Sequence, residues 1–141
     1  MVKIRVLFLC TGNSARSQMA EAFLRTYGSE RFEAFSAGLE PKGVHPMTIE
    51  VMDEIGIDMS GHTSKHLDHY LGTMHFSYVI TVCSHADANC PAVFPGAARR
   101  EHWDFEDPVV FSGPENNKRE KFRQVRDQIG QKVREWISTK G

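Results

Sequence analysis

Residues 3–9, Lys-Ile-Arg-Val-Leu-Phe-Leu, have the apolar and partly continuous character of a strand that is buried on both faces. A polar loop from Cys10 to Arg16 follows, and apolar residues then recur at helical spacing as far as Gly28. Buried strands of this kind are typical of parallel sheets, whose faces are covered by helices. This segment therefore favours an α/β fold for the whole chain.

The alternation of strands and helices continues through the chain. Strands are predicted at 32–37, 78–82 and 101–105. Helical patterns are predicted from Pro46 to Gly56 and, for a short helix, at 65–71. One long final helix is marked by apolar residues that share a face: Phe122, Val125, Ile129, Val133 and Trp136.

These elements predict one domain over residues 1–141, since 141 residues are enough to bury a core without disulfides. We expect an α/β three-layer sandwich with a central four-stranded parallel sheet flanked by helices. In such sheets, ligands bind beyond the carboxyl ends of the strands. The loops that begin at Cys10 and Cys83 and the loop that holds Asp107 should therefore open at the same edge.

Charge and hydropathy exclude several classes of function. The formal net charge is -1, so a nucleic-acid or other polyanion partner is not expected. No apolar stretch has the length of a membrane span, and the first residues lack the pattern of a secretory signal. We therefore expect a cytoplasmic protein with no membrane partner, and nothing in the sequence demands more than a monomer.

The loop after the first strand separates Cys10 from Arg16 by five residues. At a helix N-terminus, successive backbone N–H groups of such a loop can surround a tetrahedral oxyanion, and an arginine can grip two of its oxygens. Gly12 and Asn13 tolerate the backbone conformations that this requires. The residues predicted to bind the oxyanion are Thr11, Gly12, Asn13, Ser14, Ala15, Arg16 and Ser17.

The same surroundings favour a nucleophilic thiolate at Cys10. A cysteine pKa of about 8.5 can fall by several units at a helix N-terminus beside an arginine. Ser17 could donate a hydrogen bond to this thiolate, cap the following helix, or do both.

A carboxylic acid on a loop above the oxyanion could protonate the departing oxygen. The segment 103–108, Trp-Asp-Phe-Glu-Asp-Pro, offers Asp104, Glu106 and Asp107. Spacing alone does not choose among them, but Pro108 restricts Asp107 to extended conformations that help to aim its side chain.

The three cysteines, Cys10, Cys83 and Cys90, argue against a structural disulfide framework, because their number is odd and the chain is expected in the cytoplasm. They favour catalysis or redox exchange, with buried small hydrophobic residues as the alternative for Cys83 and Cys90. A metal site of Cys83, His85 and Cys90 is disfavoured, because the spacing is unlike a structural zinc site and lacks an obvious fourth ligand. No metal and no cofactor are therefore predicted.

The segment Leu-Phe-Leu-Cys-Thr-Gly-Asn-Ser-Ala-Arg-Ser around Cys10 resembles the phosphate-binding loop of the low-molecular-weight tyrosine phosphatase superfamily. More narrowly, it resembles the thioredoxin-coupled arsenate reductases of that superfamily. Residues 35–38 and 60–64 also match, and the likeness extends from about Val6 to Pro108.

The resemblance implies a three-cysteine reduction of arsenate to arsenite. Cys10 attacks arsenate, held by Arg16, while Asp107 protonates the leaving oxygen. Cys83 then attacks the sulfur of Cys10 and releases arsenite, and Cys90 moves the disulfide outward to Cys83–Cys90. Thioredoxin is the implied reductant of that disulfide.

Members of the family hold a monovalent cation near this loop, and matching oxygens are present at Asn13, Glu21, Ser36 and Thr63. Lys65 aligns where those members have an acidic residue, so we predict no dependence on potassium. Two other functions remain open: a tyrosine phosphatase that uses Cys10, Arg16 and Asp107 with water, and a non-catalytic module that binds oxyanions or senses thiols.

Overall fold

Four parallel strands form one sheet in the order β2-β1-β3-β4 in the computed structural model, which describes residues 3–70, 72, 74–83 and 97–140. The strands are β1 (Ile4–Cys10), β2 (Phe32–Gly38), β3 (Phe76–Thr81) and β4 (Ala97–His102). The helices are α1 (Arg16–Tyr27), α2 (Pro46–Asp53) and α3 (Glu115–Lys140), with short 3-10 helices at Leu67–His69 and Pro108–Val110.

Strand β1 lies in the middle of the sheet, between β2 and β3. Its residue Leu9 is in register with Ala37 of β2 and with Thr81 of β3. Residues 6–10 are all buried, as the apolar run predicted for a strand covered on both faces. The carboxyl end of β1, where Cys10 lies, is therefore enclosed by the ends of two neighbouring strands.

Both faces of the sheet are covered. On one face, the ring of Phe32 in β2 packs on Trp136 of α3, with ring centroids 5.1 Å apart. Phe35, three residues further along β2, points to the opposite face and packs on Tyr70 at 5.6 Å. The predicted α/β fold, with a four-stranded parallel sheet between two covering layers, is confirmed.

Strand β4 is the element whose position was predicted wrongly. It covers Ala97–His102, not 101–105, and its register pairs Phe76 with Ala97 and Thr81 with His102. Because β4 is an edge strand, it accommodates the exposed charged side chains of Arg99 and Arg100, which are typical of a loop when read from sequence.

Two helical boundaries also differ from the prediction. Helix α2 ends at Asp53 rather than near Gly56, although Gly56 follows with a positive φ of 79°. The short helix predicted at 65–71 is a 3-10 turn at Leu67–His69. Among the described residues, no helix is both long enough and apolar enough to cross a membrane.

Glu101 near the end of β4 joins this strand to α3. Its two carboxylate oxygens accept hydrogen bonds from the indole N–H groups of Trp103, at 3.2 Å, and Trp136, at 3.1 Å. Both indoles are buried, so leaving either N–H without an acceptor would be costly. This contact fixes the point from which the chain leaves the sheet toward Asp107.

Helices α1 and α3 approach closely at Gly130. A Cβ at this position would lie 2.9 Å from Cζ and 3.0 Å from Cε1 of Phe23, whose buried ring also stacks on Tyr27. Glycine at 130 is therefore required by the packing of two helices rather than by its backbone conformation.

We expect Gly130→Ala to lower the free energy of unfolding by about 1–3 kcal/mol, because the added methyl overlaps the Phe23 ring. Without this overlap, replacing glycine by alanine in a helix interior would stabilise the protein by about 1 kcal/mol. The expected effect therefore has the opposite sign to that of helix propensity. Urea unfolding of both proteins measures the difference. Gly61→Ala is the matched control, since a Cβ there meets nothing within 4 Å; stabilisation by Gly130→Ala would contradict the packing argument.

Candidate active site

Cys10 ends strand β1, and its side chain is buried at the base of a cavity of about 110 Å³. The loop 11–15 leads directly from Cys10 into helix α1, so the N-terminus of the helix faces the cavity. The residues that line it are Cys10, Thr11, Gly12, Ser14, Ala15, Arg16, Lys42, Asp107, Val109 and Val110. Five of the seven residues predicted to bind an oxyanion thus line one cavity; Asn13 and Ser17 lie buried behind it.

Asn13 fixes the shape of the loop. Its φ is 48°, in the left-handed region that asparagine tolerates better than most residues. Its Nδ2 donates to Oγ of Ser17 at 2.7 Å and to Oγ of Ser36 at 3.0 Å. Its Oδ1 accepts from the backbone N–H of Lys65 at 2.9 Å and from Nε2 of Gln18 at 3.1 Å. One buried amide therefore ties the loop to α1, β2 and the segment before the 3-10 turn.

Gly38 at the end of β2 lies directly against this loop. A Cβ at Gly38 would be 2.6 Å from the carbonyl oxygen of Thr11 and 2.9 Å from Cβ of Asn13. Any larger residue would displace the loop backbone, so the close packing of β2 helps to define the cavity.

The thiol of Cys10 has two hydrogen-bond partners. Its Sγ lies 2.9 Å from Oγ of Ser17 and accepts from the backbone N–H of Asn13 at 3.3 Å. Because Oγ of Ser17 already accepts a hydrogen bond from Asn13, its own proton is available to a thiolate at Cys10. The Ser17 contact predicted from the sequence is therefore present.

The predicted depression of the Cys10 pKa is not found. Burial raises the pKa of the Cys10 thiol, whereas the Ser17 hydroxyl, the Ser17 backbone, the Arg16 charge and the Asn13 backbone act to lower it. The sequence did not reveal that the thiol is only 2% exposed. It also did not reveal that a carboxylate lies beside Arg16.

That carboxylate is Asp107. Its Oδ2 lies 3.3 Å from Nη2 of Arg16, while Oδ1 accepts from the backbone N–H of Val109 at 3.0 Å and so caps the 3-10 helix. Arg16 also donates from Nη1 to the carbonyl oxygen of Phe105 at 3.0 Å. The backbone at Asp107 is extended, as expected before Pro108.

The structure distinguishes the three carboxylates that the sequence offered as the proton donor. Asp107 is the one carboxylate among the described residues that line the cavity. Glu106 points elsewhere and pairs with Lys121 at 2.8 Å, and Asp104 is exposed outside the lining. The placement of Asp107 agrees with the expectation from the Asp-Pro motif.

Cys83 lies beside the loop of Cys10. It is 3% exposed, and its Sγ is 3.5 Å from Oγ1 of Thr11. The neighbouring backbone is joined to β1 by a hydrogen bond from Val82 N–H to the carbonyl oxygen of Leu9, at 2.9 Å. The predicted convergence of these two cysteines at one sheet edge is therefore found.

The sequence predicts a loop from Cys83 to Gly96, and its residues 84–96, including Cys90, lie outside the described residues. The disfavoured metal site of Cys83, His85 and Cys90 falls largely outside them too. Within the ranges 3–70, 72, 74–83 and 97–140, no group of three His, Cys, Asp or Glu side chains is arranged to hold a metal ion.

The oxygens expected near a monovalent cation bond to protein donors. Oγ of Ser36 donates to Oε1 of Glu21 at 2.5 Å and accepts from Asn13. Nζ of Lys65 donates to Oγ1 of Thr63 at 2.7 Å. The ammonium of Lys65 thus contacts one of the oxygens expected around a monovalent cation. The independence of the protein from potassium stays a prediction.

Lys42, Val109 and Val110 line the cavity but were not predicted as site residues. The carboxyl-end rule for parallel sheets could have pointed to Lys42, because its segment follows β2 as the Cys10 loop follows β1. The two valines come after the Asp107-Pro108 pair and form an apolar wall with 40% and 76% of their surface exposed.

Comparison with known proteins places this site in a family. Residues 5–140 match the family described as low molecular weight phosphotyrosine protein phosphatase. Since the match spans nearly the whole chain, the chain belongs to that family, and the resemblance inferred from the Cys10 loop is confirmed.

Relatives within the family are arsenate reductases. The chain is 45% identical over 136 residues to Arsenate reductase 2 of Staphylococcus saprophyticus, across 96% of this chain and 98% of that protein. A solved arsenate reductase in the phosphate binding state has a TM-score of 0.80 and 36% identity, covering 96% of this chain and 98% of that one. A thioredoxin-dependent arsenate reductase from Corynebacterium glutamicum has a TM-score of 0.72 and 26% identity, covering 99% of this chain and 62% of that one.

We expect Ser17→Ala to raise the pKa of Cys10 further, because the thiolate loses the hydroxyl that can donate to it. A further rise by one unit would slow alkylation by iodoacetamide near neutral pH about tenfold. The pH dependence of the rate, measured with Cys83 and Cys90 replaced by serine, reports Cys10 alone. Ser60→Ala is the control, since Ser60 bonds to Asp58; equal pH midpoints for both variants would contradict the role of Ser17.

Proposed function

We propose that the protein reduces arsenate to arsenite by a three-cysteine relay that thioredoxin recycles. The observation that carries this proposal is the second buried thiol: Cys83 lies against Thr11, the residue that follows Cys10. Hydrolysis of a phosphoester needs one cysteine and water, whereas a two-electron reduction needs two thiols. The arsenate reductases among the relatives support the same substrate.

The first step joins arsenate to Cys10. The backbone N–H groups of the loop and the guanidinium of Arg16 bind the oxyanion, and the Cys10 thiolate attacks arsenic. A hydroxyl group of the arsenate takes a proton from Asp107 and leaves arsenic as water, so that a Cys10–arsenic(V) bond remains. The presence of Asp107 in the cavity lining supports this role.

The second and third steps move electrons and then the disulfide. The Cys83 thiolate attacks Sγ of Cys10, the sulfur–arsenic bond breaks, and its electron pair leaves with arsenic as arsenite. Cys90 then attacks Cys83, which frees Cys10 as a thiol and leaves a Cys83–Cys90 disulfide. A dithiol protein, thioredoxin, reduces that disulfide by exchange; the thioredoxin-dependent relative supports this choice of partner.

The relay predicts that Cys83→Ser and Cys90→Ser both abolish arsenate-dependent oxidation of NADPH in the presence of thioredoxin and thioredoxin reductase. Without Cys83 no disulfide forms and arsenite is not released, and without Cys90 the disulfide is not transferred away from Cys10. Hydrolysis of p-nitrophenyl phosphate is the control, because it requires Cys10 but neither of the other thiols.

A second candidate function is phosphotyrosine hydrolysis. The family description and the convergence of Cys10, Arg16 and Asp107 on one cavity favour it. If wild-type protein hydrolysed p-nitrophenyl phosphate but did not turn over arsenate, and both serine variants kept that hydrolysis, the phosphatase would replace the reductase.

We expect Asp107→Asn to lower kcat by about 10²–10⁴-fold, because an amide does not deliver the proton that the leaving oxygen needs. The variant is isosteric, so Oδ1 can still accept from Val109 N–H and cap the 3-10 helix. Steady-state kinetics with arsenate measure the loss. Asp104→Asn is the matched control from the same loop, and an equal loss in that variant would remove Asp107 from the role of acid.

A further inference from the structure

Lys42 lines the cavity above Cys10 together with Arg16. Its segment is held against the Cys10 loop by backbone hydrogen bonds that do not depend on its side chain. Glu40 N–H donates to the carbonyl oxygen of Thr11 at 2.8 Å, and Lys42 N–H donates to that of Gly12 at 3.0 Å. The main chain thus fixes where the lysine side chain starts, whatever residue occupies the position.

The stem of Lys42 passes over Gly12. A Cβ built on Gly12 would lie 3.8 Å from Cδ and 3.9 Å from Cγ of Lys42, which is ordinary van der Waals contact. The aliphatic stem therefore rests on the oxyanion loop, and the ammonium at its end can reach the mouth of the cavity.

The negative charge of a bound oxyanion exceeds the positive charge that Arg16 supplies, which favours a second cation at the cavity. Arg16 is paired with Asp107 at 3.3 Å and also donates to the carbonyl oxygen of Phe105. Both Nη groups of Arg16 therefore already contact protein oxygens. A tetrahedral oxyanion near neutral pH carries between one and two negative charges, so Arg16 alone leaves the occupied cavity with an excess of negative charge.

We propose that Lys42 is an oxyanion-binding residue whose ammonium pairs with the anion held over Cys10. This assignment rests on the proposed function, because it takes the cavity to be an oxyanion site. It adds a side chain from the segment after β2 to a site otherwise built from the Cys10 loop and the Asp107 loop. The chemistry recognised is a compact inorganic oxyanion with more than one negative charge.

The test is calorimetric titration of the reduced protein with inorganic phosphate. Lys42→Met keeps most of the stem and removes the charge, and it should weaken phosphate binding about tenfold, whereas Lys42→Arg should stay close to wild type. The loss should shrink at high ionic strength, where salt screens the pair. With arsenate, KM should rise in Lys42→Met by a larger factor than kcat falls.

Lys3→Met is the matched control. Lys3 is an exposed lysine just before the amino end of β1, about 20 Å from the cavity at the strand's rise per residue. Equal phosphate affinities for Lys42→Met and Lys3→Met would overturn the assignment of Lys42, even in a protein that reduces arsenate. A tenfold loss in Lys42→Met, in a protein that does not reduce arsenate, would support Lys42 while overturning the proposed function.

Discussion

The site depends above all on the buried side chain of Asn13. Its amide makes hydrogen bonds to Ser17, Ser36, Gln18 and the backbone of Lys65 while its own backbone holds a left-handed conformation. Hydrogen bonds between buried groups are costly to leave unmade, so these partners are mutually fixed. Because Ser17 is also the partner of the Cys10 thiol, the shape of the loop and the environment of the nucleophile are controlled by the same side chain.

The parallel sheet then assembles the remaining groups. Each strand brings one part of the site to its carboxyl end: Cys10 from β1, Lys42 after β2, Cys83 after β3 and Asp107 after β4. The order β2-β1-β3-β4 puts the nucleophile between the strands that precede Lys42 and Cys83. The register of the sheet therefore brings residues that are far apart in the sequence to one edge, where local hydrogen bonds hold their segments together.

The sequence predicted what is local and missed what is tertiary. The strand before Cys10 and the spacing to Arg16 are both encoded within a few residues, so the fold class and the loop could be predicted. The position of β4 was predicted wrongly because charged residues in a strand are explained only by its place at the edge of the sheet. The Cys10 pKa is raised by burial, which the local sequence does not show, and Lys42 enters the site through folding of a distant segment.

An oxyanion-binding loop does not by itself select a reaction. The two proposed reactions, hydrolysis and reduction, share a first step in which Cys10 attacks, Arg16 binds the oxyanion and Asp107 gives a proton. They differ in the second step, since water attacks the central atom in hydrolysis and a thiol attacks Sγ of Cys10 in reduction. A thiol held beside Thr11 is next to that sulfur's own loop and is buried, so it is shielded from bulk oxidants. In the proposed relay, Cys83 is the neighbour outside the loop that directs this shared first step toward electron transfer, and Cys90 is needed to complete the turnover.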